Sequence, residues 1–213
     1  MTLGWTAPTE LPTMTVLLRH GDTCLSPEHR LSGLRDLPLS ADGTRQAKAA
    51  AARLAAGAKI DAIVSSPLQR AAATAAIAAT ELGLTAATDD DLRETNFGEW
   101  EGFTLAEVQT RWPAAVAAWQ HDPEQAPPGG ESFADTARRV HQACDRLLRD
   151  HQGQTVLVVS HITPIKILLC RALDAPLSTL YRMYLGSACI NEIQWHGDEF
   201  AAVRRVNDTS HLP

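Results

Sequence analysis

The chain has few aromatic residues and no surplus of basic ones. Phe, Trp and Tyr make up 5% of its 213 residues, and the formal net charge is −6. General nucleic-acid binders usually carry a basic balance, so this charge argues against that class of function. It does not exclude an anionic substrate, because a few local arginines can hold a phosphate inside an acidic protein.

Features of membrane, secreted and metal proteins are also missing. No apolar run reaches the length of a membrane span, and no charged-then-apolar signal segment opens the chain. The four cysteines show no paired spacing of the zinc or redox kind. We therefore predict a cytoplasmic protein without a membrane partner, a cofactor or a metal, in which Cys144 and Cys170 are buried thiols.

Short apolar runs alternate with amphipathic stretches, which predicts strands that alternate with helices. This alternation is typical of an α/β fold, here a three-layer α/β/α sandwich with a mostly parallel central sheet. We interpret residues 1–13 as a linker or tail and residues 14–213 as one domain. Strands are predicted at residues 15–18, 61–65 and 155–159, a hairpin at residues 189–206, and helices from Ser40 to about Ala56, after Ser66-Pro67, at residues 105–111 and 114–119, after Ser132, and from Thr163-Pro164.

Three basic segments lie just past the predicted carboxyl ends of strands. Arg19-His20 follows the first strand, Arg70 follows the second, and His161 follows the strand at residues 155–159. Ligands of open α/β sheets bind at this edge. The set is suited to moving a phosphoryl group through a histidine without metal.

His20 is the predicted nucleophile, because an unprotonated imidazole can attack phosphorus. One ring nitrogen must then be bare, so we expect the other to donate to a fixed acceptor such as a backbone carbonyl. Arg19 and Arg70 are predicted to clamp the phosphoryl oxygens, and His161 to donate a hydrogen bond to them. Gly21 is predicted to let the backbone turn sharply towards the phosphate.

A carboxylate is needed to protonate the leaving oxygen and then to activate water. Glu94 is the candidate, but Asp89-Asp90-Asp91, Glu99 and Glu101 are competitors that spacing alone does not separate. Three tryptophans lie nearby, and we expect them to pack in the core or a lid rather than to stack on sugars: Trp100, Trp112 and Trp119.

In this order along the chain, the motifs resemble those of the histidine phosphatase superfamily, which includes phosphoglycerate mutases and many small phosphatases. The resemblance runs from about residue 15 to 206. It rests on residues 18–23 (Leu-Arg-His-Gly-Asp-Thr), 36–40 (Asp-Leu-Pro-Leu-Ser), 65–71 (Ser-Ser-Pro-Leu-Gln-Arg-Ala), Glu94 with residues 98–102 (Gly-Glu-Trp-Glu-Gly), and Ser160-His161.

The resemblance implies a phosphoglycerate mutase-like fold, and it selects Glu94 as the proton donor. It implies His20 as the phosphorylated residue, and Thr23 and Gly33 as further phosphate-binding residues beside Arg19, Arg70 and His161. The chain departs from many relatives at Ser26, at Ser32 and at residues 162–166, which bears on substrate contacts rather than on the core chemistry.

Residues 160–166 and 206–212 resemble one actinobacterial group more closely. In that group the phosphatase domain follows a ribonuclease H domain and is described as an acid phosphatase related to α-ribazole phosphatase. The resemblance suggests an acid phosphatase acting on a small phosphate monoester such as α-ribazole 5′-phosphate of cobalamin biosynthesis, without nucleic acid in this domain.

Two alternatives remain open: mutase-type phosphoryl transfer, and a non-catalytic module that binds a phosphorylated ligand. Mutases of the family carry longer insertions around the pocket than residues 103–130 provide, and a dead module would have lost its nucleophile or proton donor. An edge strand near the C-terminus could also mediate a homodimer.

Overall fold

In the computed structural model, which describes residues 11–57, 59–197 and 200–213, a six-stranded sheet forms the middle layer. Its strand order is β3-β2-β4-β1-β5-β6, and the first four strands in that order are parallel. The mostly parallel sheet is therefore confirmed. The strands are β1 (Thr13–Arg19), β2 (Ala62–Ser65), β3 (Ala86–Thr88), β4 (Thr155–Ser160), β5 (Ile190–His196) and β6 (Phe200–Asp208).

The sheet is covered on both faces, as a three-layer sandwich requires. Within β4, Val156 and Val158 pack into one apolar cluster, whereas Leu157 and Val159 pack into another. Side chains of successive strand residues point to opposite faces, so the two clusters lie on the two sides of the sheet. The helices are α1 (Ala41–Ala55) and α2 (Gln69–Leu82) on the second cluster, and α3 (Leu105–Arg111), α4 (Pro113–His121), α5 (Phe133–Asp150) and α6 (Ile162–Ala172) on the first.

Two predicted helix starts are corrected. Helix α2 begins at Gln69, with Leu68 as its N-cap, because Asp36 from a distant loop accepts from the Gln69 N–H at 2.6 Å. The predicted Ser66-Pro67 start is therefore wrong. Helix α6 begins at Ile162, one residue before the predicted Thr163-Pro164 start, with His161 as its N-cap. Pro164 is tolerated in the first turn because the N–H that it lacks would have no intrahelical partner.

Other helix caps agree with the sequence. The Ser40 hydroxyl accepts from Gly43 N at the start of α1, and Ser132 and Asp135 form a reciprocal capping box at the start of α5. Cys144 and Cys170 are buried, as predicted. Trp100 and Trp119 are buried in the first apolar cluster, with Trp112 packed against it, so their predicted packing role is confirmed.

The described chain enters the sheet one residue earlier than the predicted domain boundary. Thr13 is the first residue of β1 and pairs with Trp195, so the predicted linker is shorter at its carboxyl end than expected. Residues 1–10 of that linker lie outside the described residues. The predicted hairpin is confirmed by the antiparallel pairing of β5 with β6. Across the described ranges, every helix is too short or too polar to cross a membrane.

Candidate active site

The carboxyl ends of β1, β2 and β4 are level with one another. Arg19 of β1 lies opposite Ser160 of β4, and Ser65 of β2 lies opposite Val159. The next residues remain in register, because His20 N donates to Ser160 O at 3.0 Å and Ser66 N donates to Val159 O at 2.9 Å. His20, Ser66 and His161 therefore lie side by side at one edge of the sheet.

His20 is held by two hydrogen bonds that fix its tautomer. Its Nδ1 lies 2.7 Å from the carbonyl oxygen of Gly21, and its Nε2 lies 3.2 Å from Nε of Arg70. A carbonyl only accepts and a guanidinium only donates, so Nδ1 carries the proton and Nε2 presents its lone pair. The expected bond from His20 to a backbone carbonyl is present.

Burial and the nearby Arg19 and Arg70 guanidinium groups lower the pKa of His20 well below its usual 6.5, against the Gly21 bond, which raises it. The sharp turn predicted at Gly21 is not what requires a glycine there. A Cβ at that position would lie 2.2 Å from the carbonyl oxygen of Gly43, where the loop packs on α1.

His161 lies next to His20, with ring centroids 5.0 Å apart. Its Nε2 is 2.8 Å from Oγ of Ser66, while its buried Nδ1 has no partner among the described residues. Burial is the main cause that lowers the pKa of His161 well below 6.5, followed by its electrostatic coupling to His20 and to the guanidinium of Arg70. The imidazolium that the sequence left open is therefore disfavoured in this pocket, and the ring is neutral.

Arg70 is fully buried, unlike a solvated arginine at a helix start. Besides its contact with His20, it donates to the carbonyl oxygens of Arg35 and Gly33, both at 2.8 Å. These two carbonyls orient the guanidinium towards the bare nitrogen of His20. Arg19 lines the cavity, donates to Leu185 O at 2.7 Å and leaves its buried Nε without a partner in the described chain.

Glu94 is separated from its acidic competitors by position. It is buried, lines the cavity and accepts from Thr95 N at 2.8 Å and from Thr163 N at 3.3 Å. The other carboxylates are engaged or lie away from the site: Asp89 and Asp91 pair with Arg146, Asp90 and Glu99 are exposed, and Glu101 accepts from Leu34 N and Phe97 N.

The two residues added by the resemblance occupy different places. Thr23 is buried on the cavity wall, where its N–H donates to Ser26 Oγ and its own hydroxyl accepts from Leu25 N. Gly33 lies behind Arg70 rather than on the cavity wall, with a φ of +47° and no room for a Cβ, which would fall 1.9 Å from Oε1 of Glu101.

Arg19, His20, Thr23 and Glu94 line a cavity of about 930 Å³, whereas Arg70 and His161 lie next to His20 without lining it. This volume is near the upper end of common ligand pockets, so it exceeds what a phosphate alone requires. In the part of the chain that the structure describes, no group of three or more His, Cys, Asp or Glu side chains could hold a metal ion. The apolar part of the wall includes Leu25, Phe97, Leu105, Trp119, Phe133, Ile162, Leu180, Tyr181, Met183, Tyr184 and Leu185.

Several residues around the site were not found from the sequence. Ser66 was interpreted as a cap, yet it contacts His161. Arg139 of α5 donates to the carbonyl oxygens of Asp91, Arg93 and Glu94, at 2.7, 2.7 and 3.0 Å, and so fixes the segment that presents Glu94. Lys166 lines the cavity. An arginine or lysine on an amphipathic helix gives no local signal of such a role, because its partners are distant in sequence.

Comparison with known proteins agrees with this geometry. Residues 15–209 match the model of the histidine phosphatase superfamily, branch 1. The chain is 49% identical over 209 residues to the bifunctional protein Rv2228c of Mycobacterium tuberculosis. The alignment covers 98% of the chain but only 57% of that relative. The chain thus spans little more than half the length of this curated relative.

Two solved structures share the fold at full length. A mycobacterial glucosyl-3-phosphoglycerate phosphatase, Rv2419c, superposes with a TM-score of 0.84 at 31% identity, covering 93% of the chain and 100% of that structure. A candidate α-ribazole-5′-P phosphatase of Escherichia coli gives a TM-score of 0.81 at 28% identity, covering 92% and 96%. The sequence match and the shared fold confirm the resemblance drawn from the motifs: the chain belongs to the histidine phosphatase superfamily.

Proposed function

We propose that this chain is a phosphomonoesterase that transfers the phosphoryl group of a small phosphate monoester to His20 and then to water. The supporting observation is the tautomer of His20. Because Nδ1 donates to Gly21 O, Nε2 is the unprotonated nitrogen, and its lone pair can attack phosphorus once it is released from the hydrogen bond with Arg70. The lowered pKa of His20 keeps that lone pair available at neutral and mildly acidic pH.

In the first step the bond from Nε2 of His20 to phosphorus forms and the bond from phosphorus to the ester oxygen breaks. The charge of the transferring group is spread over its three equatorial oxygens. Arg70 Nε–H donates to the attacking nitrogen, and Arg19 lines the same cavity with an Nε–H that has no partner among the described residues. These fixed donors stabilise the transition state without reorganising.

His161 contributes a further donor in this proposal. Ser66 Oγ accepts from Leu68 N, so its own proton can go to Nε2 of His161. The proton of a neutral His161 then lies on Nδ1, the buried nitrogen without a partner in the described chain. That N–H is the group that would bind a phosphoryl oxygen.

Glu94 supplies the proton chemistry. As an acid it would protonate the leaving oxygen, and as a base it would then remove a proton from the water that attacks the phosphohistidine. In the second step the bond from water oxygen to phosphorus forms, the bond from phosphorus to His20 breaks, and inorganic phosphate leaves. No step requires a metal. We also propose Thr23 and Gly33 as residues of the phosphate site. Thr23 lines the cavity, and the carbonyl oxygen of Gly33 accepts a hydrogen bond that orients Arg70.

The resemblance and the Escherichia coli neighbour support α-ribazole 5′-phosphate as one candidate substrate, which would make the chain an acid phosphatase of cobalamin biosynthesis. The apolar and aromatic wall of the cavity could accommodate its base. The bifunctional relative supports a fusion to a ribonuclease H domain in a longer protein. We further propose that the protein is cytoplasmic and that it forms a homodimer.

The first experiment measures release of inorganic phosphate from p-nitrophenyl phosphate and α-ribazole 5′-phosphate by the wild type and by His20→Ala. We expect His20→Ala to lose at least about 10³-fold in kcat, because the nucleophile is removed. Its matched control is His121→Ala, since His121 is exposed on α4 outside the cavity. Brief reaction with substrate should leave an acid-labile, alkali-stable phosphoryl group on the wild type only.

Four outcomes would contradict the proposal. Near-normal turnover by His20→Ala would show that the nucleophile is wrong, and strong inhibition by EDTA would show that a metal participates. Efficient interconversion of 2- and 3-phosphoglycerate without phosphate release would assign the chain to the mutase reaction. Binding of phosphate esters without any turnover would indicate a non-catalytic module.

A further inference from the structure

Among the cations on the cavity wall, two lack a carboxylate partner. Arg30 is paired with Glu28 and Glu107, each at 2.8 Å. For Arg19 and Lys166, by contrast, the described residues offer no carboxylate oxygen within 4.0 Å. Arg19 precedes the nucleophile and has a place in phosphoryl transfer, whereas Lys166 has no role in the mechanism above.

Lys166 lies one turn of α6 beyond Thr163, whose N–H contacts Glu94. One turn is about 5.4 Å along the helix axis. Lys166 is partly buried, and its Nζ donates to Leu180 O at 2.8 Å. An ammonium group has three donors, so two remain for other acceptors at the cavity.

Partial burial without an ion pair is unfavourable for a lysine. Burial lowers the pKa of Lys166, and the negative charge of Glu94 opposes that shift from beyond ion-pair distance. A bound anion would compensate for the lost hydration of the ammonium. In the proposed reaction Arg19, Arg70 and His161 serve the phosphoryl oxygens, so we assign to Lys166 a second anionic group of the substrate.

We propose that Lys166 binds a carboxylate of the substrate, so that the preferred substrates are phosphate monoesters of hydroxy acids. This inference rests on the proposed phosphatase function and narrows it. It excludes α-ribazole 5′-phosphate as the preferred substrate, because the phosphate is the only acidic group of that molecule. Lys166 is therefore a specificity-determining residue, and the apolar wall contacts the remaining part of a larger substrate.

The bond to Leu180 offers a purely structural explanation, in which Lys166 only ties α6 to the 3₁₀ segment Leu177–Arg182. The two explanations differ in one measurable quantity. A structural lysine affects all substrates alike, whereas a carboxylate ligand affects only substrates that carry the carboxylate.

The test compares 3-phosphoglycerate with glycerol 1-phosphate, in which a hydroxymethyl group replaces the carboxylate. We expect the wild type to prefer 3-phosphoglycerate at least tenfold in kcat/KM. Lys166→Met, which keeps the aliphatic stem, should lower that preference at least tenfold, and Lys166→Arg should retain most of it. Lys48→Met is the matched control, because Lys48 is exposed on α1 away from the cavity.

Binding of the same two molecules to His20→Ala, measured by calorimetry, tests the inference without turnover. The variant with both His20→Ala and Lys166→Met should lose at least tenfold in the ratio of the two dissociation constants. Equal effects on both molecules, or a higher kcat/KM for α-ribazole 5′-phosphate than for 3-phosphoglycerate, would overturn the inference. If the wild type shows no turnover but His20→Ala still binds 3-phosphoglycerate more tightly than glycerol 1-phosphate, the proposed reaction is overturned and the carboxylate site is supported.

Discussion

Two regions of the cavity are built in different ways. The catalytic edge consists of His20, Ser66, Arg70 and His161 at the carboxyl ends of β1, β2 and β4. The specificity wall consists of cavity-lining residues from segments 25–32, 97–120, 180–187 and 207–213, which are mostly loops, short helices and 3₁₀ turns, together with Lys166 of α6. The catalytic edge is held by hydrogen bonds of the sheet, whereas the wall carries exposed side chains such as Tyr184, which is 73% exposed.

The difference shows how the fold divides chemistry from recognition. A strand end can be displaced only by breaking ladder hydrogen bonds, so groups on the catalytic edge are held in one geometry. Surface loops tolerate substitution far better, since fewer buried contacts depend on them. In the proposed reaction the chemistry therefore belongs to the catalytic edge, and the choice of substrate belongs to the wall.

Glu94→Gln is expected to have a large effect that depends on the leaving group. For substrates with an alkoxide leaving group, kcat/KM should fall about 10²–10³-fold, because the amide cannot donate the proton. For p-nitrophenyl phosphate the fall should be much smaller, since nitrophenolate leaves without protonation. The rates of both substrates are to be measured for Glu94→Gln and for Glu99→Gln, which changes an exposed neighbour. An equal loss on both substrates would argue against Glu94 as the acid.

The buried histidines of the catalytic edge should make the protein less stable in acid. The folded state holds the pKa of His20 and of His161 well below 6.5, and both return to about 6.5 on unfolding. Below about pH 6.5 the unfolded chain therefore binds more protons, and the free energy of unfolding falls by up to about 1.4 kcal/mol per pH unit for each histidine. Above about pH 7 both states are neutral and the contribution vanishes.

Urea unfolding between pH 7.5 and pH 5 measures this slope. A double variant with His20→Asn and His161→Asn should lose stability less steeply as the pH falls. It lacks the two histidines but keeps every other titratable group of the wild type. Identical slopes in the two proteins would show that the histidines are not held neutral.

Tyr184→Ala is expected to have the smallest effect, since Tyr184 lines the specificity wall but is largely exposed. The free energy of unfolding should change by no more than about 0.5 kcal/mol. We expect KM to change about threefold and kcat to change by a smaller factor, as measured with p-nitrophenyl phosphate and 3-phosphoglycerate. A fall in kcat comparable to that of Glu94→Gln would remove the distinction between the two regions.

Much of the catalytic edge could be predicted from the sequence because its signals are local. Apolar runs identify the strands, and a histidine or arginine directly after each run falls at the sheet edge where ligands bind. The start of α2 was placed wrongly because its signal is not local. The cap of α2 comes from Asp36, which no local pattern connects to Gln69.

The specificity wall gave no such signal. Lys166 and Arg139 lie on amphipathic helices, and their contacts with Leu180 and with the carbonyl of Glu94 join residues far apart in sequence or in different elements. Likewise, spacing left six carboxylates as candidates for the acid. Only the fold showed that Glu94 lies buried at the cavity while Asp89 and Asp91 pair with Arg146.

By itself, the sequence determined the alternation of strands and helices, the reactive residues that follow the strands, and the superfamily. Those properties follow from local periodicity and from short motifs, which survive without knowledge of distant neighbours. The tertiary structure decided the tautomer of His20, the lowered pKa of both histidines, the buried place of Glu94 at the cavity and the position of Lys166 on the cavity wall. Each of these depends on burial and on partners brought together by folding, because the energy of a charge or a proton is set by its surroundings in space.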